Sequence, residues 1–384
     1  MDSIEKKDFP LLFTALREQG YTIVGPTVRD GAIILDTVTS VDDLPNGWTD
    51  EQSGGSYTLT RRSDGAAFGY VVGPFSWKKF LYQPRLRLFS ATRAGKDIEF
   101  SGTAGSESQS VPKFAFLGVR PCELSAIAVQ DKVFITGDYA DPTYSAIRSQ
   151  ALVIAVNCTQ PGGNCFCTSM GTGPEAKEGY DLVLTEMLLE GGSVYIAHAG
   201  SEKGKEILSA VPHRPTTTNE AELAENALEQ AAGNMGKTLD NQGLKTILYD
   251  NFDDKRWDEV TKRCLACANC TLVCPTCFCS TVEDTTDLSG TRAERWRRWD
   301  SCFTMDFARV AGGNTRPSTR ARYRQWLMHK LGYWNDQFGV SGCVGCGRCI
   351  TWCPVGIDIT EEVTAIRGNA TDAAVAVGAG NSRS

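Results

Sequence analysis

Eight of the fifteen cysteines fall into two runs of identical spacing. The runs are Cys264-x2-Cys267-x2-Cys270-x3-Cys274-Pro275 and Cys343-x2-Cys346-x2-Cys349-x3-Cys353-Pro354. Three cysteines at this close spacing wrap a tight loop around one four-iron cube, which needs one thiolate for each iron. The fourth cysteine of each run, followed by proline, points away and binds the other cube. The paired runs therefore predict two [4Fe–4S] clusters.

The spacing also predicts that each cluster takes ligands from both runs. The first cluster is expected on Cys264, Cys267, Cys270 and Cys353, and the second on Cys343, Cys346, Cys349 and Cys274. Two glycines between these ligands, Gly345 and Gly347, suit a loop whose backbone must approach inorganic sulfide. The alternatives are a zinc site or buried thiols. Zinc sites usually pair two C-x2-C units around one ion, which fits two identical four-cysteine runs poorly.

Four more cysteines lie near the ends of two predicted strands: Cys122, Cys158, Cys165 and Cys167. The strand-like KFAFLGV precedes the first of them, ALVIAVN precedes the second, and the other two follow in the Gly-rich loop PGGNCFCTSMGTGP. Because ligands bind at the carboxyl ends of strands in α/β sheets, these thiols predict a third [4Fe–4S] cluster, with Arg120 offsetting its negative charge. The spacing matches no standard signature, so a zinc ion or four reduced thiols are the alternatives.

Three cysteines remain, namely Cys277, Cys279 and Cys302. Three ligands cannot close a cube by themselves, so we expect buried thiols that shield a cluster. A zinc site completed by His329 is the alternative.

Composition restricts the class of protein further. The chain has 384 residues and a net charge of −7, which does not suggest general binding to nucleic acid. Its N-terminus has no apolar signal region and no run of about 18 apolar residues occurs, so no membrane partner is expected. Fifteen cysteines in a chain without a signal peptide indicate metal ligands rather than disulfides, and a cytoplasmic location.

The remaining sequence predicts an α+β fold. A mixed α/β N-terminal region over residues 1–245 is followed by an α-helical ferredoxin-like dicluster domain over residues 246–366, and a disordered tail over 367–384. About 70 residues separate the two cysteine runs, and two helices are expected there, RAERWRRWDSCFTMDFARVA and STRARYRQWLMHKL. SWKKFLYQP, residues 76–84, is expected to be a short connector.

The segment between the cysteine runs is basic in an acidic chain. Residues 292–330 contain nine Arg and one Lys against three acidic residues, a net charge of +7. Such charges can stabilise anionic cubes, form a docking patch for an acidic partner, or lie on a solvated face.

Several stretches together resemble one family. They are KKFLYQP, FLGVRPCELSAI, VNCTQPGGNCFCTSMGTGP, CANCTLVCPTCFCSTVED, RRWDSCFTMDFARVAGGNTRP and CVGCGRCITWCPVGIDI. In this order they are similar to the β subunit of the cytoplasmic NAD(P)-linked [NiFe] hydrogenases called sulfhydrogenases, and to the A subunit of anaerobic sulfite reductase. The resemblance covers roughly residues 75–365.

The resemblance implies an electron-transfer subunit that works between two partners. These are a flavin subunit that handles NAD(P)H and a catalytic metal subunit, in a hydrogenase or, alternatively, a sulfite reductase complex. The chain itself lacks a flavin or dinucleotide fingerprint, so no catalytic residues are assigned. A protein with structural clusters in nucleic-acid processing is the less favoured class. Two paired clusters form an electron path, whereas one cluster would be enough to stabilise a fold.

Overall fold

The computed structural model describes residues 1–71, 73–102, 111–189 and 192–380, and of residues 370–380 it describes the backbone only. The strands are β1 (Asp2–Glu5), β2 (Thr22–Arg29), β3 (Ala32–Thr37), β4 (Trp48–Ser53), β5 (Ser56–Arg61), β6 (Arg85–Ala94), β7 (Asp97–Ser101), β8 (Phe114–Val119), β9 (Leu152–Val156), β10 (Leu182–Leu189), β11 (Gly192–Ala199), β12 (Arg214–Pro215), β13 (Ser280–Thr286), β14 (Arg292–Trp299), β15 (Arg309–Val310) and β16 (Gly313–Asn314).

The helices alternate with these strands in the first half and dominate the second half. They are α1 (Pro10–Glu18), α2 (Lys78–Leu81), α3 (Pro121–Phe134), α4 (Pro142–Gln150), α5 (Glu202–Ser209), α6 (Thr218–Gly233), α7 (Leu244–Asp250), α8 (Arg256–Thr261), α9 (Asn269–Leu272), α10 (Thr319–Met328), α11 (Trp334–Phe338), α12 (Arg348–Thr351) and α13 (Ile359–Gly380). A π-helical turn, His329–Tyr333, joins α10 to α11. No helix of the described residues is both long and apolar enough to cross a membrane.

An eight-stranded sheet organises the first half of the chain. Its strand order is β12-β1-β11-β10-β9-β8-β2-β3, and the four strands β2, β8, β9 and β10 run parallel. These central strands are apolar on both faces, as parallel strands covered on both sides must be. The α+β class predicted from the sequence is confirmed.

A four-stranded sheet with the order β13-β14-β6-β7 joins strands from the two predicted domains. The helix predicted over residues 292–311 is therefore wrong, because its first part is the strand β14. Long-range pairing overrides the helical spacing of its aromatic residues. Trp296 lies under the Arg85 guanidinium of β6 at 4.1 Å, and Arg295 donates two hydrogen bonds of 2.7 Å to Asp284 of β13.

The segment predicted as a connector, residues 76–84, is instead part of the core. It contains α2, and Trp77, Leu81 and Tyr82 are almost completely buried against strands of the main sheet. The region of the predicted tail, residues 367–384, continues as helix α13 to Gly380, and residues 381–384 lie outside the described residues.

Candidate metal centres

The four cysteines predicted for the first cluster surround one cavity. Cys264, Cys267, Cys270 and Cys353, the first group, line it together with Cys349 from the second set of predicted ligands. Apolar side chains, including Phe303 and Trp326, complete the lining, and the cavity has an empty volume of about 420 Å³ that opens to solvent. Cysteines from both runs therefore meet at one place.

The second group lies beside a buried lysine and consists of the buried Cys274, Cys343 and Cys346 and the half-buried Cys349. Burial raises the pKa of Cys349 well above its usual value, and the charges of the other three thiols add to this effect. The buried Lys330, on the π-helical turn, donates hydrogen bonds to Cys274 Sγ at 3.0 Å and to the Gly342 carbonyl at 3.2 Å. Burial lowers the pKa of Lys330, but the nearby thiolates outweigh burial and leave this pKa well above its usual value.

The third group lies where the sequence predicted, at the carboxyl ends of two neighbouring parallel strands. Cys122 is the second residue of α3, which follows β8, and Cys158 follows β9. Both line a second cavity with Cys165 and Cys167, and its empty volume is about 370 Å³. Cys346 of the second group also lines this cavity.

The ligand loops of the second and third groups interlock through their backbones. The Phe166 N–H donates to the Gly345 carbonyl at 2.9 Å. Gly345 has a φ of +65°, and a Cβ at this position would lie 2.6 Å from the Phe166 carbonyl oxygen. At Gly347, with a φ of +75°, a Cβ would lie 2.4 Å from the Asn164 carbonyl oxygen. Both glycines are thus required by the neighbouring loop, a reason that the sequence did not indicate.

Two buried arginines lie beside the third group. Arg120 donates to the carbonyls of Asn157, Phe68 and Tyr70, but its Nε has no hydrogen-bond partner among the described residues. Arg348, with 1% of its side chain exposed, pairs with Glu123 at 2.5 Å, and its Nη1 likewise has no partner in the described part of the chain. The sequence suggested Arg120, whereas Arg348 lies inside the second cysteine run and was missed.

A buried lysine from the first half of the chain fixes the loop that follows the first run. Lys78 of α2 donates to the carbonyls of Cys274 and Cys277, each at 3.0 Å, and lies 4.1 Å above the ring of Trp299. Its position explains why part of the predicted connector is buried. Nothing in the local sequence distinguishes this lysine from a solvent-exposed one.

The three remaining thiols lie next to the first two groups. Cys277 shares a hydrogen bond with Cys274, and Cys279 shares one with Cys302. The hydrogen bond from Cys302 lowers the pKa of Cys279 to about 7. His329 is neutral, because burial and the charges of Lys330 and Arg316 lower its pKa to about 4. Within the described ranges, no group of three or more His, Cys, Asp or Glu could hold a single metal ion.

The thiols fit iron–sulfur clusters chemically. All but Cys267 are buried or half-buried, and burial raises the pKa of Cys122, Cys165 and Cys270 well above the usual value. The buried cations Lys330, Arg120 and Arg348 lie beside groups of thiols that become anionic when they bind iron. Arg120 and Arg348 each keep a donor nitrogen without a partner in the described residues, as expected where cluster sulfur would accept a hydrogen bond.

Comparison with known proteins identifies the second half of the chain. Residues 263–357 match the family model of the 4Fe-4S dicluster domain. Over 362 residues the chain is 32% identical to a protein named sulfhydrogenase 2 subunit beta, from Pyrococcus furiosus, and the match covers 94% of this chain and 96% of the relative. No solved structure matches. The dicluster match contains both cysteine runs, so the predicted iron–sulfur domain is confirmed, while the number of clusters stays a prediction.

Proposed function

Since this chain belongs to the family of sulfhydrogenase β subunits, we propose that this iron–sulfur electron-transfer subunit relays electrons between an NAD(P)H-oxidising flavin subunit and a catalytic metal subunit of a [NiFe] hydrogenase. The name of the relative favours a hydrogenase complex over a sulfite reductase complex. When bound, [4Fe–4S] clusters supply reversible one-electron transfer. The chain contributes the ligands, the spacing between them and the charges around them.

One observation carries the proposal: the second group contributes a thiol to the cavity of each of the other two groups. Cys349 lines the first cavity and Cys346 lines the third-group cavity. Three clusters on these twelve cysteines would therefore form one continuous path, with the buried second cluster in the middle. Neighbouring sites that share ligand loops favour electron transfer over a purely structural role.

The first group has the features of a contact point for a partner. Cys267 is exposed, and Leu265, two residues before it, is 63% exposed. The second and third groups are mostly buried. Electrons would therefore exchange with one partner at the loop around Cys267.

The relay is tested on the isolated full chain, prepared anaerobically without flavin. Dithionite should reduce its clusters reversibly, because a [4Fe–4S] cluster held by four thiolates cycles between states that differ by one electron. NADH and NADPH should leave it oxidised until a flavin subunit is added. The measurement is electron paramagnetic resonance (EPR) of each sample. Oxidation of NADPH by the flavin-free chain with viologen as acceptor would refute the relay, as would clusters that dithionite cannot reduce.

The crossed ligand assignment gives a second test. Cys353→Ser should perturb the cluster held by Cys264, Cys267 and Cys270, because the structure brings Cys353 into that cavity. Cys274→Ser should perturb the other cluster of the dicluster domain. Each variant is compared with the wild type by EPR after reduction. If Cys353→Ser damages only the cluster on Cys343, Cys346 and Cys349, the assignment is wrong. The same holds if Cys274→Ser damages only the cluster of the first run.

A further inference from the structure

One buried guanidinium, that of Arg348, is paired with a carboxylate from a distant part of the chain. Arg348 Nε donates to the Gly73 carbonyl at 2.8 Å, and Nη2 donates to the Phe75 carbonyl at 3.0 Å and to Glu123 Oε1 at 2.5 Å. Nη1 has no hydrogen-bond partner among the residues described. A buried guanidinium N–H without an acceptor is costly, so an acceptor that the protein chain does not supply is expected there.

The two residues of this ion pair each adjoin a thiol of a different group. Arg348 follows Cys346 of the second group by two residues, in the same ligand loop. Glu123 directly follows Cys122 of the third group at the start of α3. Burial raises the pKa of both Cys122 and Cys346, and the charge of Arg348 opposes this rise at both thiols. The ion pair therefore links a residue next to the second group to a residue next to the third group.

The carboxylate of this pair is held in place by further donors. Glu123 Oε2 accepts a hydrogen bond from Trp77 Nε1 at 3.0 Å and from the Arg120 backbone N–H at 3.2 Å. Both Arg348 and Glu123 are at most 3% exposed, so solvent and salt screen their charges little. The Glu123 carboxylate thus offsets the positive charge of Arg348 only on the side of the guanidinium that it contacts.

We propose that Arg348 and Glu123 together set the reduction potentials of the second and third clusters, the arginine raising them and the glutamate lowering them. The proposal rests on the proposed function, since it requires both clusters. A reduced cluster carries one more negative charge than an oxidised one, so a nearby buried cation favours reduction. An N–H donated to cluster sulfur acts in the same direction. Arg348 does not exchange electrons itself, because it acts by changing the potentials of the clusters.

The test is an EPR-monitored redox titration of the full chain under anaerobic conditions. Arg348→Gln should lower the potentials of the second and third clusters, and Glu123→Gln should raise them. The first cluster should stay at its wild-type potential in both variants. Arg309→Gln is the matched control, because this arginine is 70% exposed and water screens its charge; it should shift no potential.

Opposite signs for the two variants distinguish charge tuning from a structural role. Loosened packing would move both variants in the same direction, and that outcome would overturn the proposal, as would unchanged potentials. If Arg348→Gln does not fold, Glu123→Gln decides alone: an upward shift supports the proposal and no shift overturns it. Iron analysis of the wild type separates this result from the proposed function. Fewer than about twelve irons would count against the third cluster, whereas twelve irons without shifts would count against Arg348.

Discussion

Replacing Cys122 and Cys167 together by serine in the full chain should lower the iron content from about twelve to about eight atoms per chain, one cube fewer. Both thiols are buried and line the same cavity at the carboxyl ends of β8 and β9. Serine is a poor iron ligand, and two thiolates cannot hold a cube. The measurement is iron and acid-labile sulfide per chain, with EPR to show that the dicluster signals persist.

The matched control is Cys277→Ser, which removes a thiol outside the three groups and should leave about twelve irons in place. A wild-type chain with only eight irons, or a double variant that keeps all twelve, would show that the third group binds no cluster. The full chain is needed for this experiment. Gly345 and Cys346 line the cavity but lie beyond the predicted N-terminal region of residues 1–245, so a chain truncated to that region would leave the cavity open.

The third group shows how far sequence reasoning reaches. Two strand-like runs, each ending near a cysteine, predicted the site, which requires the two strands to be neighbours and parallel. Strands β8 and β9 do pair in parallel, with Phe116 opposite Val153. Local patterns suffice for this step, because hydrophobic runs of this length with β-branched residues form buried strands. The residues that close the cavity from the other half could not be inferred in this way.

The buried cations mark the limit of sequence reasoning at the candidate site. Lys78, Lys330 and Arg348 look like ordinary surface residues in the sequence: two lie outside the cysteine runs, and Arg348 is a non-ligand position inside the second run. Each is buried by contacts with segments distant in sequence, such as Lys78 with the carbonyl of Cys277, 199 residues away. Residues 292–330 have a net charge of +7. Only the folded chain shows that these charges are divided between surface ion pairs and buried charges such as that of Lys330.

The strand β14 shows a similar limit for the fold. Its sequence, RAERWRRW, has aromatic residues at helical spacing and good helix formers around them. Pairing with β6, about 200 residues earlier, puts Trp296 and Trp299 on opposite faces of a sheet instead. Arg85 covers the first ring and Lys78 the second. Cross-strand contacts of this kind depend on a partner strand that local propensity does not indicate.

The buried Lys330 should be among the most sensitive residues of the dicluster domain. Lys330→Met keeps the length of the side chain but removes a charge that is 4% exposed and bonded to Cys274 Sγ and Thr276 Oγ1 at 3.0 Å each. Removing one partner of a buried charge pair costs about 3–5 kcal/mol, since the other charge stays buried without compensation. We expect the free energy of unfolding to fall by this amount, measured by anaerobic urea denaturation followed through the visible absorbance of the clusters.

The control for this prediction is Lys262→Met, at an exposed lysine two residues before Cys264, which should change the free energy of unfolding by no more than about 0.5 kcal/mol. Lys330→Arg provides a second comparison. It keeps the charge, but the larger guanidinium must fit a site formed by Cys274, Thr276 and the Gly342 carbonyl, so it should recover part of the loss. A Lys330→Met variant as stable as Lys262→Met would mean that the Cys274 thiolate is compensated elsewhere. The π-helical turn would then have no role in holding the second cluster.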